Sequence, residues 1–287
     1  MESFRQLNQP GKPFVLANAW DRGSAQLLAA LGAEAIGTTS SGFAFTRGLP
    51  DGGRVSLDDA IGHAADLASV TRLPVSADLE NGYGATPAEV GETIRRSAAA
   101  GLAGCSIEDT VLGTGDSFDF GEALERVSAA VVAARTLDDD FILVARADGV
   151  LRRNYAVDDA IERVKAFASV GADCVYIPWL PDLAAVERVC AAVDVPVNVL
   201  VVGSMTAHRR QDFADAGVAR LSLGAALARV THRALIDAAG AMLEEGDVSL
   251  LGPARQARQS TRCSRRGRRR IVSSSTGVSC GRVAASG

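Results

Sequence analysis

Apolar and polar positions take turns in two rhythms from residue 14 to about residue 246. Short runs dense in Val, Ile, Leu and Ala read as buried strands: FVLANAW (14–20), AIGTTS (35–40), PVSADLE (74–80), GCSIED (104–109), FILVARAD (141–148), CVYIP (174–178), PVNVLVV (196–202) and RLSLG (220–224). Between them, LDDAIGHAADLASV, PAEVGETIRRSAAAG, GEALERVSAAVVAART and VDDAIERVKAFASVG repeat their apolar residues at helical spacing. Ser56 and Thr86 stand where helices start, and Gly32, Gly101, Gly171 and Gly217 where helices stop. The phrases LGAEAIG, AGLAGCSIE, VGADCVYI and AGVARLSL recur ahead of strands, an internal repeat at the turns from helix to strand. Eight β-then-α units in series predict an α/β fold, a closed (β/α)₈ TIM barrel. A doubly wound open sheet is the alternative, but AWDRGSA after the first strand offers no GxGxxG phosphate cradle.

Composition changes this picture at one place. The chain carries a net charge of −4, yet residues 252–287 hold nine arginines and no acid, which leaves the rest at −13. We therefore expect a barrel over 1–251 and a disordered basic tail over 252–287. The tail's RCSRRGRRR run lacks the aromatic residues that stack on bases, which argues against nucleic acid as a partner. No apolar run reaches the ~18 residues of a membrane span, and MESFRQLNQPGKPF lacks the layout of a signal peptide. Cys105, Cys174, Cys190, Cys263 and Cys280 have no metal-ligand spacing. The first three sit in apolar element patterns, so buried free thiols and a cytoplasmic location are the expectation.

Active sites of such barrels form at the strand ends that face the C-terminal rim. In a strand, residues i and i+2 point the same way, so Asp78 and Glu80 are expected on one face. Two adjacent carboxylates repel unless water, a cation or a positive side chain lies between them. Glu108 shares its face with Ser106 and points inward, while Asp109 does not; Arg146 and Asp148 alternate with Ala145 and Ala147, and Asn198 interrupts a valine run. An ion pair between Glu108 and Arg146 is one outcome. The other is a hard-cation site, since Asp78, Glu80 and Glu108 outnumber Arg146 and no His or Cys is near; that donor set suits Mg²⁺, with Mn²⁺ as the substitute, better than zinc. After the second strand, SSGFAFTRGLPDGG reads as a Gly-rich loop carrying Ser41, Gly42 and Asp51, and in its LPDGG a turn role and a site role for Asp51 are both open. His63, His208 and His232 read as surface or interface residues.

Taken in order, TTSSG, GLPD, ADLENGYG, IED, AR-x-D and VPVNVL resemble the isocitrate lyase/phosphoenolpyruvate mutase superfamily over roughly residues 5–246. The resemblance implies a TIM barrel, a homo-oligomer (dimer or tetramer), and Mg²⁺-dependent making or breaking of C–C or P–C bonds beside the carbonyl of a small 2-oxo acid. Such a lyase-type reaction proceeds through an enolate that the metal stabilises. It also implies that Asp51, Asp78, Glu80 and Glu108 form the acidic set that holds the metal, largely through water, and that Ser41, Gly42, Arg146 and Asn198 hold substrate. Arg146, Glu108 and Asp51 are the implied catalytic residues.

One segment departs from the family. Where the lyases carry a Cys- and Lys-bearing loop, this chain reads TVLGTGDSFDF, and the lyase tyrosine before Ser-Gly is Thr39 or Ser40. Thr110, Thr114, Asp116 and Ser117 are the loop's remaining candidates for moving a proton. A barrel that binds Mg²⁺ and a 2-oxo acid without turnover is the alternative function.

Overall fold

The computed structural model describes residues 3–137 and 140–252. Eight parallel strands follow one another around a closed barrel: β1 (Phe14–Asn18), β2 (Ala35–Gly37), β3 (Val75–Asp78), β4 (Gly104–Glu108), β5 (Ile142–Arg146), β6 (Cys174–Tyr176), β7 (Val197–Leu200) and β8 (Arg220–Ser222). Leu16 of β1 sits beside Ser222 of β8, and this pairing closes the barrel and excludes the open sheet. Each expected strand run contains one of the eight strands. From residue 253 on, the expected basic tail lies outside the described residues.

The helices begin and end where local chemistry dictates. Ser56 accepts the Asp59 N–H at 3.1 Å to start Leu57–Ser69, and Thr86 with Glu89 forms a capping box ahead of Pro87–Ala99. Gly32, Gly101, Gly171 and Gly217 all adopt positive φ at helix ends. Apolar faces of these helices meet the outward-facing strand residues in the main core, where Leu67, Ile94, Leu143 and Phe167 are fully buried.

Inside the barrel the two-residue alternation sorts the strands into layers. Phe14, Ile142, Val144 and Cys174 form a buried apolar floor, and Phe4 of the N-terminal helix Phe4–Leu7 caps it edge-on, 6.2 Å from Phe14. The next residues on the same strand faces are polar: Asn18, Arg146, Asn198 and Ser222. Gly37 gives these side chains room, because a Cβ there would lie 2.8 Å from Asn18 Nδ2. The floor is closed below, so access is from the C-terminal rim.

Among the described residues no helix is long and apolar enough to cross a membrane. Cys105 and Cys174 are buried free thiols, and Cys190 is a half-buried one.

Candidate active site

A cavity of about 520 Å³ opens at the C-terminal ends of the strands. Asp78 and Arg146 line one side, Asn198, Arg220 and Ser222 the other, and Ser41 and Asp51 part of the rim.

Arg146 organises the first side. Its Nε and Nη2 engage Asp148 at 3.0 and 2.7 Å, Nη1 reaches Asp78 at 2.8 Å, and Nη2 lies 3.0 Å from Glu108. The β4–β5 register sets Glu108 directly beside Arg146. The guanidinium also lies 5.1 Å from the Tyr176 ring, a cation–π contact. Burial opposes its charge, but Asp148, Glu108 and Asp78 together hold its pKa well above the ordinary arginine value. Between Asp78 and Glu108, then, lies a positive side chain.

Asp148 is itself held in place by a network that the strand pattern did not reveal. Its backbone N–H donates to Asp109 at 2.8 Å, and Asp109 accepts from Tyr155 Oη at 2.6 Å and Arg163 at 3.0 Å. Asp109 thus points away from the cavity, as its strand position requires.

Glu80 corrects the expected strand pattern. β3 ends at Asp78, and Glu80 follows in a turn with φ 45°, so it does not share a strand face with Asp78. Its carboxylate accepts from the Gly53 N–H at 2.7 Å and from Tyr83 Oη at 3.4 Å. Asp78 instead accepts from both the backbone N–H and the hydroxyl of Ser40, at 3.1 and 2.9 Å. No three His, Cys, Asp or Glu side chains among the described residues converge as direct metal ligands. Asp78, Glu80 and Glu108 surround the β3–β5 rim without forming an all-protein cage.

Charge is nevertheless in excess there. Burial, then Asp148, raises the Glu108 pKa well above the usual carboxylate range, and Arg146 offsets this only in part. Burial, then Asp78, pushes Glu80 up to about 7, and enclosure, then Asp78, raises Asp51 on the rim. Folded Glu80 keeps its proton to about pH 7 while a free Glu releases it near 4.5. In that window the folded state binds more protons than the unfolded one, so Glu80 contributes stability at low pH that is lost as pH rises. Thermal unfolding should therefore show Glu80→Gln gaining on the wild type between pH 5 and pH 8. A difference that does not change with pH would mean Glu80 is ionised throughout.

The remaining expected residues divide. SSGFAFT is a short helix, Ser40–Thr46, and not part of a loop; Thr39 caps it by accepting the Gly42 N–H at 3.2 Å. That donor is engaged, and Gly42 does not line the cavity. It is a packing position, since a Cβ there would lie 2.5 Å from Thr39 Cγ2. Ser41 does line the cavity, and its buried Oγ has no partner. Asn198 donates to Ser222 Oγ and accepts from Arg220 Nε, both at 2.9 Å.

Two further expectations are corrected. Thr110, Thr114, Asp116 and Ser117 do not line the cavity, because their loop closes on itself and Asn154 ties it down through Gly115 and Ser117. His63 is no surface residue: it stacks on Phe43 at 3.8 Å, and burial pushes its pKa down to about 4. Trp179, also on the cavity wall, is half exposed and holds φ 64°, strained backbone for a non-glycine.

A closed parallel barrel with its polar cavity at the C-terminal rim is the architecture of a TIM-barrel enzyme. The chain belongs to the phosphoenolpyruvate phosphomutase family, whose model matches residues 4–243, and so to the isocitrate lyase/phosphoenolpyruvate mutase superfamily. A Burkholderia cenocepacia J2315 crystal structure described as a lyase/mutase is 41% identical, covers 91% of this chain and 93% of its own, and superposes with a TM-score of 0.85. The oxaloacetate decarboxylase of Ectopseudomonas mendocina is 30% identical over 75% of both chains. A phosphonopyruvate hydrolase complex with oxalate and Mg²⁺ shares the fold at 21% identity, with a TM-score of 0.76 over 93% of this chain and 95% of the other.

Proposed function

We propose that this protein is a Mg²⁺-dependent lyase-type enzyme that breaks or forms a C–C or P–C bond beside the carbonyl of a small 2-oxo acid. The observation that carries this reading is Arg146, buried among three carboxylates yet open to the cavity. Membership of a superfamily with an oxaloacetate decarboxylase relative supports it.

The donor set fits the metal. Mg²⁺ keeps several of its waters and takes only one or two carboxylates directly, so it needs no converged protein cage. Asp78 would ligate it directly, with Asp51, Glu80 and Glu108 engaging its waters. Burial first, and neighbouring carboxylates second, raise the pKa values of Asp51, Glu80 and Glu108, and a divalent ion would offset the second of these. When bound, the ion would draw negative charge from the keto oxygen, the centre that becomes electron-rich as the neighbouring bond breaks.

The chain's own residues do the rest. Arg146, oriented by Asp148, Glu108 and Asp78 before substrate arrives, keeps one Nη1 N–H for the substrate carboxylate. Ser41 Oγ supplies a donor with no competing partner. Asn198 is locked between Ser222 and Arg220, which fixes its amide for substrate contact. The helix Ala226–Gly240 exposes the apolar side chains of Leu235 and Ile236, which self-association would cover.

Turnover is tested by incubating the enzyme with Mg²⁺ and a panel of 2-oxo acids, following products by NMR. Consumption of at least one, abolished by EDTA, is the expected result; none consumed leaves a binding barrel. Cleavage of isocitrate and 2-methylisocitrate should be slow, because the loop lacks Cys and Lys, and an acid–base group typically contributes about 10²–10⁴-fold. Turnover of either near ~10 s⁻¹, ordinary for enzymes, would show that another group moves the proton.

A further inference from the structure

Six buried side-chain polar atoms among the described residues have no partner, and two belong to residues lining the cavity: Ser41 Oγ and Arg220 Nη1. Ser41 is absorbed by the proposed reaction. Arg220 is not.

Arg220 opens β8, and its long side chain lies inside the barrel at 2% exposure. Its Nε is spent on Asn198 at 2.9 Å, but no carboxylate pairs with the guanidinium among the described residues. This contrasts with Arg146, which has three. Burial, and to a lesser degree the positive charge of Arg146, lower the Arg220 pKa from its ordinary value. An unpaired buried guanidinium is costly, and an anion in the cavity would remove that cost.

Topology places this charge opposite the first site. β8 is four strands from β4 around an eight-stranded barrel, so the Asp78–Arg146 cluster on β3–β5 and the Arg220–Asn198–Ser222 cluster on β7–β8 face each other. Arg229 and Arg233, one turn apart on the helix after β8, also line the cavity, Arg233 paired with Asp237 at 2.7 Å. The acidic wall suits a metal-bound 2-oxo acid head, and the basic wall suits a second anion.

We propose that Arg220 forms a second acid-binding subsite and is the residue by which this enzyme selects 2-oxo acids carrying a further acid group, a carboxylate or a phosphonate, at the far end. This rests on the 2-oxo acid reading above. Asn198, itself held by Ser222, fixes the guanidinium through Nε, and the acid group takes the unpartnered Nη1 donor as a charge-assisted hydrogen bond.

Calorimetry in Mg²⁺ with four probes tests it: 3,3-difluorooxaloacetate, phosphonopyruvate, 2-oxobutyrate (which has a methyl group in place of the second acid) and oxalate (which has only the chelating end). The wild type should bind at least one of the two diacids at least ~10-fold tighter than 2-oxobutyrate, and which one is favoured separates carboxylate from phosphonate. Arg220→Met should lose roughly 10–100-fold for that diacid and less than about threefold for 2-oxobutyrate and oxalate. Arg220→Lys should recover part of the loss. An unchanged diacid preference in Arg220→Met overturns the proposal. So does an equal loss for all probes, which would make Arg220 a strut for Asn198. Should Arg220→Met fail to fold, the wild type decides: no diacid preference overturns the subsite while oxalate binding keeps the 2-oxo acid reading. Failure to bind oxalate or any 2-oxo acid overturns both.

Discussion

Replacing Arg146 by methionine should lower the melting temperature by roughly 6–20 °C at neutral pH, from a loss of about 3–5 kcal/mol. Methionine fills much of the same volume but leaves Asp78, Glu108 and Asp148 facing one another with no cation. Their side chains are 19%, 7% and 1% exposed, so water cannot replace the lost partner. Without the cation, the three carboxylates repel one another when ionised. Stability is accordingly retained at low pH, where they are protonated, and lost as pH rises. Thermal unfolding at pH 5 and pH 8 checks this, with the deficit larger at pH 8. Added Mg²⁺ should recover part of it at pH 8, since a divalent ion can stand among the same carboxylates. A variant that melts like the wild type at both values would show that Arg146 is not what holds the three together.

The second large effect is expected at Asp78. Asp78→Ala removes the one carboxylate of the Arg146 cluster that lines the cavity. Arg146 keeps Asp148 and Glu108, so the barrel should still fold. The loss should fall on ligand binding. In the wild type, Mg²⁺ with oxalate at ~100 times its dissociation constant should stabilise the fold by about 2.7 kcal/mol, a rise of roughly 5–11 °C in melting temperature. In Asp78→Ala that rise should vanish. Asp78→Asn keeps an acceptor for Ser40 and removes the charge, so it separates metal ligation from hydrogen bonding: it too should lose the rise. A rise retained in both variants would remove Asp78 from the metal site.

Much of this architecture could be read from the sequence, because barrel strands are written locally. Apolar runs of four to eight residues alternate with helices that carry their own starts and stops, such as Ser56, Thr86 and Gly171, so all eight strands were found in place. The inward set Ser106, Glu108 and Arg146 followed from alternation alone. Alternation failed where the backbone left the strand: Glu80 lies beyond the end of β3, and Asn81-Gly82, a turn signal, stood directly after it. Gly42 was misplaced for a related reason, since Thr39 starts a helix in what reads as a glycine-rich loop. Arg220 is no strand-end residue, yet a side chain this long reaches the cavity from the first residue of β8. The same two-residue pattern that found Arg146 would have placed Arg220 and Ser222 inside. Asp109 with Tyr155 and Arg163 had no sequence signal, because that network joins residues 46 and 54 positions apart.

On the proposed function, the β3–β5 side of the cavity binds a 2-oxo acid head through Mg²⁺. Calorimetric titration of the wild type with oxalate tests it most directly, once with Mg²⁺ and once with excess EDTA. Saturable binding of one oxalate per chain with Mg²⁺, and none in EDTA, is the predicted result. Equal affinity in the two buffers, or no binding with Mg²⁺ present, would contradict it.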